Sequence, residues 1–160
     1  MLAALLADFE QALKGRVCKF KRRETDWVFD FGDRRHITTD APWRIVSEGR
    51  IAFADEDDGQ KFGLPKPVEG ERHANMLLKS RRIERVEVDP VTADIRIHFY
   101  GGVRLDVFTN SMAYESWQAR FTVGDQTVEL VGMGGGALSA CRYDSASPPQ
   151  FMTMKPLSRS

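Results

Sequence analysis

The side chains in this chain that could do chemistry fall in several short strings, and their spacing decides what each can support. The run Val131-Gly132-Met133-Gly134-Gly135-Gly136-Ala137 contains a formal G-x-G-x-x-A after a strand-like stretch. In a dinucleotide site that pattern leads into a helix N-terminus, a second parallel strand and an acid about 20 residues on. Here 152–156 is Met-Thr-Met-Lys-Pro and only 23 residues follow Ala137, so the unit has no room to be completed. Asp55-Glu56-Asp57-Asp58-Gly59 evokes a calcium loop, but its glycine comes one place early and the closing glutamate position holds Lys66. It reads as a solvated acidic turn, with adventitious cation binding as the alternative. His36, His73 and His98 show neither H-x-x-x-H nor H-E-x-x-H spacing, and no G-x-S-x-G elbow, Walker loop or Cys-His signature occurs. No metal, no cofactor and no catalytic residue is expected. Carboxylates are too numerous for one acid/base couple to be singled out.

Two strings join aromatic and charged residues, Pro42-Trp43-Arg44 and Tyr114-Glu115-Ser116-Trp117. Buried indoles and phenols fill volume while their polar tips seek partners, so these strings first suggest a locked core edge. Glu115 can meet Arg44 only if the two tryptophan strands adjoin. Basic clusters at Lys19-Lys21-Arg22-Arg23, Arg34-Arg35 and Arg81-Arg82 read as solvated edges that discourage sheet-to-sheet pairing, a nucleic-acid surface being the sharper alternative.

The elements that would position these residues are mostly strands. Ile95, Ile97 and Phe99 alternate with Asp94, Arg96 and His98; after Gly101-Gly102 the alternation resumes with Val103, Leu105 and Val107. Two period-2 runs joined by a pair tolerant of positive φ make a hairpin. Further strands are expected at 17–20, 26–31, 35–39, 43–46, 50–54, 83–88, 117–121 and 127–131. Leu2, Leu5, Leu6, Phe9 and Leu13 lie on one helical face, with Gly15 placed to end that helix. A second helix is expected from about Val68 to Ser80. From Gly132 the chain is glycine-rich and then Ser/Pro-rich, and 132–160 reads as a loosely held tail after a single domain over 1–131.

At 160 residues one domain can bury roughly 70% of its unfolded surface, so no disulfide or metal staple is required. Lysines and arginines balance aspartates and glutamates, 23 against 23, which disfavours nucleic acid as a partner. Cys18 and Cys141 fit no zinc or redox spacing and read as reduced thiols. No apolar run approaches 18 residues, and Asp8 and Glu10 interrupt the N-terminal stretch too early for a signal peptide. No membrane association and a cytoplasmic location are expected. Residues 1–31 also lie over 69–99 without a gap, Asp26 on Asp94, Phe29 on Ile97 and Phe31 on Phe99. Both halves read helix, strand, strand, turn, strand, then a strand with a tryptophan, which suggests half-repeats over 1–54 and 69–131.

The P-W-R strand, the loop from Asp57 through Gly59-Gln60 to Phe62-Gly63-Leu64-Pro65, Asp94 opening a hairpin, and Tyr114-Glu115-Ser116-Trp117 together resemble a family of small bacterial proteins without assigned activity. The likeness covers roughly 15–122. Its members are similar to proteins found among immunity genes of bacterial toxin systems, which implies a stoichiometric inhibitor that binds another protein. The expected fold is α+β, two helices on a strongly curved, mainly antiparallel sheet or on two meanders. The first functional expectation is a non-enzymatic protein-binding module, possible contact residues being Trp43, Arg44, Asp55, Asp57, Asp58, Phe62, Tyr114, Glu115 and Trp117, with a homodimer left open. The second is a small-molecule or nucleotide binder whose pocket lies between sheet and helices, Trp43, Arg44 and Glu115 converging there.

Overall fold

The computed structural model describes residues 1–144, 146 and 148–154. Among them are two α-helices and twelve strands, all paired antiparallel. The chain opens with α1 (Leu2–Leu13), whose Leu5, Phe9 and Leu13 recur every four residues and are buried. Then come β1 (Lys19–Arg22), β2 (Trp27–Asp30), β3 (His36–Thr39), β4 (Trp43–Ser47) and β5 (Arg50–Ala54). After α2 (Gly70–Leu77) follow β6 (Ile83–Val88), β7 (Ile95–Phe99), β8 (Val103–Val107), β9 (Trp117–Val123) and β10 (Gln126–Gly132). The last described elements are β11 (Leu138–Tyr143) and β12 (Gln150–Met154).

Of the two arrangements expected, the structure has two antiparallel sheets, and they are open rather than strongly curved. Sheet A has the order β1-β2-β3-β9-β10-β11-β12 and sheet B the order β5-β4-β8-β7-β6. The architecture is α+β but dominated by sheet. Each half of the chain lays its first three strands in one sheet and sends its next two into the other. The first five strands of sheet A (β1-β2-β3-β9-β10) therefore repeat the whole of sheet B read from β6. Register follows the same plan: Trp27 opposite Thr39 recurs as Ile95 opposite Val107, and Asp30 opposite His36 as His98 opposite Arg104, every residue 68 further along. Thr39 then faces Trp117 as Val107 faces Trp43, so the two tryptophans hold equivalent places.

The helices keep this equivalence at a different offset. The buried Leu5, Phe9 and Leu13 of α1 have Gly70, Ala74 and Leu78 as counterparts, 65 residues on. Each helix also closes an edge belonging to the other half. Asn75 of α2 takes the Phe20 N–H at 2.7 Å and donates to the Phe20 carbonyl at 2.9 Å, while Glu71 takes the Arg22 N–H at 3.0 Å. Glu10 of α1 takes the Val86 N–H at 2.9 Å. The side chains thus satisfy edge groups that a neighbouring strand would otherwise seek, so β1 and β6 need more than a basic fringe to stay unpaired.

The core lies between the sheets. Trp43 sits among Phe20, Trp27, Phe29 and Phe53, with centroids 4.9–5.5 Å away, and Phe9 packs on Trp117 and Phe121. The stretch expected to be a loose tail is corrected in part: Leu138 and Ala140 of β11 are buried, and β11 and β12 extend sheet A. The glycines that mimic a nucleotide motif serve that extension. A Cβ on Gly132 would overlap the Trp117 indole, and Cβ atoms on Gly134 and Gly136 would overlap the backbone at Ala113 and Val91. Bare backbone lets β11 turn in against the core. Helix α2 is shorter than expected, Gly70–Leu77 against 68–80, because Val68 is taken up in a backbone pairing with the 59–60 loop.

Candidate functional site

The structure separates most of the residues singled out above. Trp43 and Trp117 are only 1% and 2% exposed and belong to the core, so neither can touch a partner of the folded protein. Arg44 and Glu115 do not meet: β4 lies in sheet B and β9 in sheet A. Arg44 instead pairs with Asp106 at 3.1 Å. Glu115 is exposed and lines a 200 Å³ cavity with Ser116, Asp26 and Asp40. Tyr114 is 80% exposed at a loop crest where Ser111 Oγ accepts its backbone N–H.

The acidic loop is not a free patch. Asp55, Asp57 and Asp58 are half-buried and accept backbone N–H groups from Trp43 (3.3 Å), Ala54 (2.9 Å) and Gly70 (2.8 Å). Asp58 also approaches Arg22 at 3.4 Å. Burial raises the Asp55 carboxyl above its usual range, against the pull of the hydrogen bond from Trp43. These acids fasten the loop onto β4, β5 and the start of α2. Only Glu56 and the following 59–67 face outward.

What faces outward there is apolar. Phe62 is 67% exposed, with Leu64 exposed beside it in sequence. Phe62 has φ +48° and Gly63 φ +77°. An aromatic residue in the left-handed region is uncommon and costs energy, so the turn spends stability to present that ring to solvent. Leu64 reaches Met76 across a 360 Å³ depression lined also by Pro67, Val68 and Arg72. Met76, itself 67% exposed, and Arg72 then open a second groove of 520 Å³ between α2 and the start of β1, floored by Val17, Cys18 and Leu78. Its charged lining is wholly cationic: Lys19, Arg72 and Lys79. Burial raises the Cys18 thiol well above its ordinary value, so the groove's sulfur stays protonated and unreactive.

A second feature escaped the sequence. On the outward face of sheet B, Asp106 is 2% exposed beneath three arginines: Arg104 Nε at 2.8 Å, Arg44 Nε at 3.1 Å and Arg96 Nε at 3.5 Å. The Arg44 guanidinium also lies over the Phe108 ring, 4.9 Å from its centroid. The β7–β8 hairpin placed Arg96 opposite Asp106 in principle; pairing of β4 with β8, 60 residues apart in the chain, brings in Arg44.

Among the described residues no group of three His, Cys, Asp or Glu is placed to hold a metal ion, and no helix is long and apolar enough to cross a membrane. No protein-family model, curated protein or solved structure matches the chain.

Proposed function

We propose that the chain is a non-enzymatic protein-binding module of the cytoplasm whose contact surface is the outer side of α2 with the 61–68 loop. The observation that carries this is the Phe62 ring, held exposed at positive φ two residues before Leu64, which with Met76 lines a depression that adjoins the α2/β1 groove. A run of large exposed apolar side chains next to a groove is what partner surfaces present. The cationic rim gives the partner a character: an acidic, amphipathic segment. Asp55, Asp57 and Asp58 do not supply the contact, since their carboxylates are turned onto the backbone. The resemblance noted above makes a toxin-neutralising immunity protein the specific version of this reading. The matched strand order and register support a second part of it, descent by duplication of an α-plus-meander unit.

Affinity capture by the full chain from its native cell, run beside a Phe62→Ser, Met76→Lys variant, tests the reading. A protein held by the wild type and lost by the variant is the expected result. A small metabolite recovered by both, with no protein, would overturn it. The second reading, a small-molecule binder, draws on the 520 Å³ groove, whose volume suits such a ligand.

A further inference from the structure

The shared plan of the two sheets shows which side chains the fold requires and which it does not. The cross-strand row Arg96–Asp106–Arg44 of sheet B has as its counterpart Val28–Thr38–Gln118 in sheet A, in the same register on β2, β3 and β9. Neutral side chains hold that row together in one sheet, so the charges in the other are not demanded by strand pairing. Both sheets also carry a depression at the same end. Asp26, Thr38 and Asp40 line the 200 Å³ one where Asp94, Asp106 and Phe108 line one of 290 Å³. The fold makes the dent twice: in sheet A the Arg23 guanidinium is paired off bidentately with Asp26, whereas in sheet B Arg96 lines the dent and shares Asp106 with Arg44 and Arg104.

One carboxylate cannot neutralise three arginines. Asp106 takes the Nε–H of Arg44 and both Nε–H and an Nη–H of Arg104, and it holds Arg96 nearby. The remaining donors of these groups have no acceptor among the described residues. The buried carboxylate instead acts as a fixed post that aims them, and Phe108 fixes Arg44 from the other side. Pre-aimed planar donors are what a phosphate or carboxylate needs, though the charge of Arg96 is also felt by Glu87 and Asp89. The other walls of the 290 Å³ cavity carry Glu87, Asp89 and Asp94. Glu87 is engaged by His98 at 3.0 Å and Arg85 at 3.7 Å, while Asp89 and Asp94 accept backbone N–H groups of Val91, Thr92 and Thr109. A polyanion would be repelled by that wall; an amine or hydroxyl would not.

We propose that Arg44, Arg96 and Arg104, gathered by Asp106, bind the oxyanion of a small molecule whose hydrogen-bond-donating end enters the cavity beside Asp89 and Asp94. The site is independent of the α2 groove, and its failure would leave the protein-binding reading standing. The test titrates the full chain with phosphoethanolamine, inorganic phosphate and sodium chloride at matched ionic strength, following arginine Nε–H resonances by NMR. Phosphoethanolamine should shift Arg44, Arg96 and Arg104 saturably, leave Arg120 of sheet A unmoved, and bind more tightly than inorganic phosphate. Arg96→Gln, at a half-exposed position, should weaken binding by about tenfold while the amide spectrum stays folded. Equal shifts with chloride, movement of Arg120 alongside the others, or unchanged affinity in Arg96→Gln would overturn the site. Inorganic phosphate binding as tightly as phosphoethanolamine would overturn the role given to the acidic wall.

Discussion

Sheet A and sheet B answer the same architectural problem with different materials. Their inner faces agree: Phe29, Ile37 and Ala119 in one, Ile97, Leu105 and Ile45 in the other, each trio in register across three strands and each fully buried. Their outer faces do not. Where sheet A sets Val28, Thr38 and Gln118 side by side, sheet B sets two arginines about a buried aspartate. Burial tolerates only apolar side chains of suitable volume, so the inner face is constrained by packing. The solvent face carries no such constraint, and the difference between the two points to use rather than stability. The helices extend the contrast. Large Leu5 and Phe9 seat α1, whereas Gly70 and Ala74 seat the shorter α2, and it is beside α2 that a groove stays open.

The strongest way to break this comparison is at Asp106. Asp106→Ala leaves three guanidiniums without their shared counter-ion and should cost about 3 kcal/mol or more, read as a drop in denaturant midpoint. Thr38→Ala, its counterpart in sheet A, should stay within about 1 kcal/mol. Equal costs would mean that both outer rows are structural.

The tryptophans sharpen the comparison at smaller scale. The Trp117 indole donates to the Ala93 carbonyl at 2.8 Å, while the buried Trp43 indole N–H has no partner among the described residues. Trp117→Phe should therefore cost about 1–3 kcal/mol more than Trp43→Phe, because only the first orphans a buried carbonyl. Thermal unfolding of the two variants checks it. A larger loss for Trp43→Phe would show that aromatic packing, not the hydrogen bond, separates the sites.

The smallest effect concerns acid stability. The hydrogen bond from His98, with help from Arg85, holds the Glu87 carboxyl below its ordinary 4.5. A carboxyl lowered on folding contributes stability that is whole above its unfolded value and is lost as pH falls through the folded one. Glu87→Gln should flatten the stability profile below about pH 4.5, by under about 1 kcal/mol for so exposed a group. Lys21 stands at the matching place in sheet A, opposite Val28 as Glu87 is opposite Arg96, and Lys21→Gln should leave that limb of the curve alone.

Much of this plan could be seen in the letters. Period-2 alternation located β7 and β8, with Phe99 facing Val103 across the glycine-bearing turn, and the four-residue apolar step located α1. The overlay of Asp26 on Asp94 and Phe29 on Ile97 held for β2–β3 against β7–β8, where hairpin geometry fixes the spacing. It slipped by two residues at β1 against β6, because the turn into the next strand is longer in the second half, and by one more in the helices. What stayed hidden was pairing between halves. No local signal says that β3 lies against β9 or β4 against β8, so the condition on which Glu115 could meet Arg44 and the gathering of Arg44 at Asp106 are both invisible in the letters. The acidic loop misled for a related reason: four consecutive acids look solvated until the backbone donors of Trp43, Ala54 and Gly70 are folded against them. Glycine-rich 132–136 looked loose because the Trp117 ring and the loops it packs against lie far away in the chain.

The most direct measurement replaces the charged row by its neutral counterpart, Arg96→Val, Asp106→Thr and Arg44→Gln together, and records unfolding and phosphoethanolamine binding on the same samples. If the outer row of sheet B is there for a ligand, the triple variant should melt within about 4 °C of the wild type and bind nothing. A variant that fails to fold, or one that folds and still binds, would contradict the account.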